Sequence, residues 1–360
     1  MALQADHVTV ALVEHDPSGK RLSWVFPAQG DMDVAVIAAR AQLSEDKPLS
    51  EKVPTFAWSR WRSQWYYTLA RERKPTDQPD VVHAAVSRFA IVLGSPLFDP
   101  ERYHSLLQVL LRAFEGESGS PLALLQRVLS MSTKGSASAP LGPDFVASKF
   151  DAAAARLACP LGQTLRALGT ENAATLWAAM LLRARIAVYH PGGVGPLLSL
   201  VRCLPLLAWH RPRWEGTLRG LCSLSEAADL ADLEQAGSLA AGFVEPEVLD
   251  MPQLYDVLID ARPAKGGGGD EVTLKLMPSA AGLAPPPKVR KQIGKVLDSM
   301  GEGVPTIELV EALAAKTAEF LEKAAEVAAM EPDEADASLP EGVGPFLRRL
   351  NEADGVGAGS

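Results

Sequence analysis

At 360 residues, 47% of them hydrophobic and 22% charged, the chain has the composition of a soluble globular protein with core enough for two domains of ordinary size. Its 35 lysines and arginines against 44 aspartates and glutamates leave a net charge of −9, which excludes bulk attraction to nucleic acid or to an anionic lipid surface. Cys159, Cys203 and Cys222 are widely spaced with no CxxC, which suggests a reducing compartment. Acids near the N-terminus argue against an export signal, and no run of about 18 uninterrupted apolar residues is present, so no direct membrane insertion is expected.

In chain order, His7 to Glu14 and Lys20 to Phe26 read as two strands joined by a turn at Asp16, Pro17, Ser18 and Gly19. Asp31 to Leu43 places Val34, Ile37, Ala38 and Ala41 on one face of a helix. Val53 to Arg60, Gln64 to Arg71 and Ala84 to Leu93 read as three further strands, the first two rich in tryptophan and tyrosine. Asp99 followed by Pro100, and Ser120 followed by Pro121, then start two helices. The order is β-β-α-β-β-β-α-α. Residues 133–143, rich in glycine, serine, alanine and proline, read as a linker after a first lobe of residues 1–132.

A second α/β lobe is expected over residues 144–262. Ala173 to Leu182 is an apolar helix, and Ile186 to Tyr189 is a short apolar run of the kind buried on both faces of a sheet. Pro191, Gly192, Gly193 and Gly195 break the strand, and a helix follows from Pro196. Leu198 stands where the dinucleotide fingerprint needs its third glycine, and no Gly-Lys-Ser/Thr follows, so neither nucleotide motif is met. Ser223 to Glu226 fits a capping box opening a helix to Gln235, and Ser238 to Val244 and Leu254 to Ala261 read as strands. Residues 263–360 are expected to be mainly helical, with a flexible hinge from Pro263 to Asp270 and a long helix from Thr306 to Ala329. A disordered loop at 331–344 and a short helix around Phe346 to Leu350 complete the chain.

The segments RIAVYHP (185–191), LPLLAWHR (204–211), AGFVEPEV (241–248) and LYDVLIDA (254–261) resemble the central module of the DENN family, with Leu204, Pro205, Trp209 and Trp214 in the slots that close it. The likeness extends to FAIVLGSPLFDPERY (89–103) and LAAKTAEF (313–320). It implies a bilobal DENN fold, with an N-terminal longin-like lobe of the order read above and a C-terminal α/β lobe with a central sheet and trailing helices. It also implies a guanine nucleotide exchange factor for a Rab-family small GTPase, working from a groove between the lobes, in the cytoplasm and recruited to late endosomes. The alternative it carries is a docking subunit bound to coiled-coil subunits of the Commander complex.

The residues themselves offer no catalytic constellation. The histidines His7, His15, His83, His104, His190 and His210 are scattered, no G-x-S-x-G is present, and neither a metal nor a cofactor is expected. The candidate partner-binding residues are therefore those that stand to show on a surface. Trp24 and Phe26, two apart on a strand, share a face that is either core or a seat for a partner. Alternation groups Trp58 with Arg60 and Arg62 as a cation and aromatic patch, unless the turn breaks the register. Tyr189 and His190 open the glycine-rich loop. His210 and Arg211, with Arg213 and Trp214, form a proline-containing loop in which the tryptophans plug the lobe or the cations meet a partner. Lys288, Arg290, Lys291 and Lys295 make a basic helix face.

Overall fold

The computed structural model describes residues 8–28, 34–43, 49–73, 85–211, 216–264, 270–299, 301, 303–331, 334 and 337–355. The chain divides into two compact units, Met1–Ala155 and Arg156–Ser360.

In the first unit, β1 (Thr9–Asp16) and β2 (Gly19–Phe26) form a hairpin, followed by α1 (Val34–Arg40), then β3 (Thr55–Trp61), β4 (Gln64–Glu72) and β5 (Arg88–Ser95). The strands lie antiparallel in the order β3-β4-β5-β1-β2. Their period of two sorts the side chains onto two faces. Ala11, Val13, Tyr66, Ala70, Ala90 and Val92 pack with Val36 and Ile37 of α1. On the other face Tyr67 meets Tyr103 at 4.7 Å between ring centroids and Phe89 meets Phe114 at 5.2 Å, both partners coming from α2 (Pro100–Gly116). Asp99 caps α2 by accepting the Arg102 amide at 3.2 Å, and Ser120 caps α3 (Pro121–Lys134) through the Leu122 amide. The expected β-β-α-β-β-β-α-α order is the observed one.

The segment read as a linker is built into this unit. Gly135, with φ of 68°, ends α3, and β6 (Ser136–Ala137) pairs with β7 (Phe145–Val146). Arg112 of α2 donates to the Pro143 carbonyl at 2.6 Å, and Arg127 of α3 to that of Ser138 at 3.0 Å. The division between units falls later, inside the short helix α4 (Ala152–Leu157).

The second unit is a mainly parallel sheet. It contains α5 (Leu161–Leu181), β8 (Arg185–Tyr189), α6 (Val194–Cys203), β9 (Leu218–Leu221), α7 (Ala227–Gln235), β10 (Leu239–Phe243), β11 (Val257–Pro263) and β12 (Asp270–Leu276). Its strand order is β12-β11-β8-β10-β9, with β12 antiparallel to β11 and the others parallel. The apolar run of β8 is the middle strand, with Ile186 to Tyr189 buried as a strand covered on both faces must be. Leu233 of α7, with Val248 and Leu254 of two 3-10 turns, covers Tyr189, Ala241, Phe243 and Leu258. The unit ends with α8 (Pro287–Ser299), α9 (Thr306–Ala328) and α10 (Val343–Gly355). Trp177 of α5 packs against Phe320 of α9 and Phe346 of α10, and its indole N–H donates to Thr317 at 3.1 Å.

Several expectations are corrected here. A boundary at 262/263 cuts β11 and parts it from β12, with which it pairs from Val257↔Leu276 to Pro263↔Asp270. The segment read as a hinge therefore joins the strands of a hairpin; residues 265–269 within it lie outside the described residues. The capping box does not form, because Ser223 lies too early: its amide goes to Asp229 and its hydroxyl to Glu245, while Glu226 stands at the cap position of α7. The loop read over 331–344 overlaps α10, whose first residue Val343 donates to the Pro340 carbonyl at 3.0 Å. Pro332, Asp333, Ala335 and Asp336 lie outside the described residues.

Candidate functional site

Trp24 and Phe26 lie on β2, the last strand of its sheet, stacked with ring centroids 6.4 Å apart and planes 9° from parallel. A β-bulge leaves Ser23 without a partner, since Leu12 pairs with Trp24 and Val13 with Leu22. The extra residue turns Leu22 and Val25 toward the α1 face, where they pack against the core. Trp24 and Phe26 stand opposite Leu12 and Val10 on the other face. Both rings are half-buried. They share a face, as alternation requires, and keep part of their surface in solvent.

The patch of Trp58, Arg60 and Arg62 does not assemble. Trp58 is 3% exposed, packed edge-on against Trp65 and Phe98, so it is core and not a contact surface. Arg60 keeps that strand face, with its guanidinium 5.5 Å from the Trp65 ring centroid. Arg62 adopts a left-handed φ of 53° in the turn to β4, which breaks the alternation, and its guanidinium lies over Trp61 instead, at 5.5 Å.

At the carboxyl end of β8 several side chains are bonded to one another. Tyr189 is buried, and burial raises the pKa of its phenol. The Arg262 guanidinium lies 6.0 Å from the Tyr189 ring centroid and is forked onto Asp260 at 2.8 and 2.7 Å. His190 is 1% exposed. Its backbone N–H donates to the Phe243 carbonyl, and its Nδ1 accepts the Gly192 amide at 3.0 Å. The proton is thereby placed on Nε2, which donates to the Asp270 carboxylate at 3.3 Å. A Cβ on Gly192 would lie 2.6 Å from His190 Cε1, so the ring and the turn can coexist only because that residue is glycine. Gly193 takes a φ of 114° before α6. The glycines make the turn, while Pro191, Gly192, Gly195 and Pro196 remain exposed above it.

His210 and Arg211 serve the structure of their unit. Arg211 donates to the carbonyls of Met180 at 3.0 Å and Leu181 at 2.5 Å in the last turn of α5, where the Met180 carbonyl also accepts the Arg183 amide at 3.3 Å. Both residues also reach Asp354 of α10, His210 at 3.3 Å and Arg211 at 3.5 Å. Arg183 completes the clamp through the Ala353 carbonyl at 2.6 Å. Burial lowers the pKa of the His210 imidazole and of the Arg211 guanidinium. Trp209 is half-buried with Arg156 over its ring; Arg213 and Trp214 lie outside the described residues. The sequence reads only Phe346 to Leu350 of α10 as helix; Asp354, in its last turn, carries no local signal for its role.

Taken in chain order, an antiparallel β-β-α-β-β-β-α-α unit precedes a parallel unit with helices on both faces and three trailing helices, and this defines the α/β class of the DENN proteins. No family model matches the sequence. Curated relatives do. DENN domain-containing protein 10 of Danio rerio is 31% identical over 256 residues, covering 70% of this chain and 69% of that protein. The protein of the same name from Mus musculus is 28% identical over 294 residues, 81% of this chain and 77% of its own. That from Homo sapiens is 27% identical over 314 residues, 86% and 82% respectively. The chain belongs to the family of DENN domain-containing protein 10.

Proposed function

We propose that this protein regulates a Rab-family small GTPase as a guanine nucleotide exchange factor, acting on late endosomes. Membership in the DENN family, over a match that takes in most of the chain, carries the reading. Exchange is noncovalent: the factor binds the nucleotide-free GTPase more tightly than the GDP form, loosening the switch segments and the metal that retain GDP. It needs a preorganised surface and no general base. The exposed turn from Pro191 to Pro196, braced from below by the His190 bonds to Gly192 and Asp270, is such a surface. Release of fluorescent GDP from a panel of purified Rab GTPases, at physiological Mg²⁺ and increasing protein, tests it. The expected outcome is acceleration of one or two members, saturating with dose; no acceleration across the panel overturns the reading.

A second reading is favoured by the stacked Trp24 and Phe26 pair, half-exposed on the last strand of its sheet. Aromatic anchors concentrate interface energy, and this pair suits a helix of the coiled-coil subunits of the Commander complex. In this reading the protein is a docking subunit. Conversion of Trp24 and Phe26 to aspartate is expected to abolish capture of those subunits with the melting transition retained. Undiminished capture rejects the reading, and unfolding shows the pair to be core.

A further inference from the structure

Between Glu271 and Asp298 the chain carries no acid and five cations, Lys275, Lys288, Arg290, Lys291 and Lys295, although acids outnumber cations by 44 to 35 over its length. Four of the five fall on α8, and the packing of that helix sorts them. Val289 and Ile293 are buried, and a Cβ on Gly294 would lie 2.7 Å from Thr170 Cγ2 of α5, so the glycine lets α8 close onto α5 and fixes which side faces in. Arg290 belongs to that inner side. Its guanidinium meets Glu171 of α5 at 3.5 Å and the Pro285 carbonyl at 3.4 Å. Lys288, Lys291 and Lys295 stand at i, i+3 and i+7, within about 60° of one another on the outer side and along a line about 10 Å long. All three are exposed. Among the described residues none of the three takes part in an ion pair or a hydrogen bond, and Asp298, which comes next in the row, accepts the Thr170 hydroxyl at 3.2 Å.

We propose that this face of α8 is a docking site for an acidic helical segment of a partner protein, with carboxylates at the same i, i+3, i+7 spacing. Charge complementarity selects the sign of the partner: three ammonium groups held in a row by a packed helix match three carboxylates in a row. The layout selects a helix over a bilayer. Polybasic segments that hold to anionic lipid gather about 4–8 cations, whereas α8 presents three with an acid next in line. None of the exposed large hydrophobic side chains among the described residues lies on α8 to enter a lipid surface. The net charge of −9 repels a broad anionic sheet, while a narrow segment meets only the lysine row. Exposed ion pairs are individually weak, so the contact is modest in affinity and sensitive to salt. It uses neither the turn after β8 nor the Trp24 and Phe26 pair.

The test is fluorescence anisotropy of the intact chain with a labelled, alanine-based helical peptide carrying glutamates at i, i+3 and i+7. The expected result is saturable binding at low salt that is lost at about 1 M salt, where the Debye length is about 3 Å. Lys288→Glu, Lys291→Glu and Lys295→Glu together should lower the affinity by about tenfold or more. Conversion of the exposed Lys52, Lys134 and Lys149 to glutamate changes the net charge by the same amount and should leave most of the binding in place. Equal losses in the two triple variants overturn the proposal, because net charge alone would then account for the effect. So does an absence of binding, or equal binding of a peptide of the same composition with its glutamates spread around the helix. Retention on phosphatidylserine vesicles without binding of the peptide overturns it in favour of a lipid surface. Where the charge-reversed variant melts early, the same three lysines changed to glutamine decide the comparison.

Discussion

At the scale of single residues, the turn after β8 shows how a short glycine run acquires unequal duties. Gly192, although exposed, has no room for a side chain: an added Cβ would lie 2.6 Å from His190 Cε1 and 2.9 Å from Pro263 Cγ. The imidazole has little freedom to give way, because Nδ1 holds the Gly192 amide and Nε2 holds Asp270. Gly195 has nothing within 4 Å of such a Cβ and sits in the first turn of α6. Gly192→Ala is therefore expected to destabilise by about 1–3 kcal/mol through overpacking. Gly195→Ala is expected to be neutral or to stabilise by up to about 1 kcal/mol through helix propensity. Urea unfolding of the two variants checks the contrast, and equal effects would remove the reason for assigning the glycines different roles. Composition reveals none of this, since the glycines are identical as letters and differ only in what surrounds them.

At the scale of elements, the parts legible in the sequence were those governed by local chemistry. Proline after a capping residue located α2 and α3, and the apolar run ending in His-Pro-Gly-Gly located β8 and the start of α6. What escaped depends on partners distant in sequence. β9 is four residues long, and Gly220 has a left-handed φ of 71° where its pairing with β10 shifts register. β12 follows a glycine run that reads as a hinge, although Val272, Leu274 and Leu276 do alternate. Gly169, with φ of 73°, kinks α5 without ending it, so the helix begins well before Ala173. The site divides in the same way: Trp24 and Phe26 were paired by alternation, whereas the tilt of Arg62 out of register came from turn geometry. Trp177 sets the strongest element-level expectation, since it joins α5, α9 and α10 and is 1% exposed. Trp177→Ala should cost about 3–5 kcal/mol by opening a cavity between the helices. Trp177→Phe should cost less, having lost mainly the bond to Thr317. An alanine variant within about 1 kcal/mol of the parent in urea would show that the helices do not depend on this contact.

At the scale of the whole molecule, each unit carries a histidine whose neutral form is favoured by burial. His104 in the first stacks on Phe56 at 4.2 Å between centroids and neighbours Gln108; burial lowers its pKa. His210 in the second is lowered by burial first and by Arg211 next, against the opposing pull of Asp354. Above the ordinary imidazole value of 6.5 both residues are neutral in the folded and unfolded chains, so they give stability no pH dependence. As pH falls below 6.5, the unfolded chain takes up protons that the folded chain resists, and stability drops until pH has passed the lowered folded values. Net charge does not set the direction of this effect; the difference in bound protons does. Melting temperatures measured from about pH 7.5 to pH 5.5 should fall with acidification across that window. Exchange of His104 for leucine and of His210 for glutamine should each flatten part of the slope, because neither replacement titrates. A melting temperature that rises over the same interval would mean that folding favours the charged imidazoles, and would contradict the burial seen at both positions.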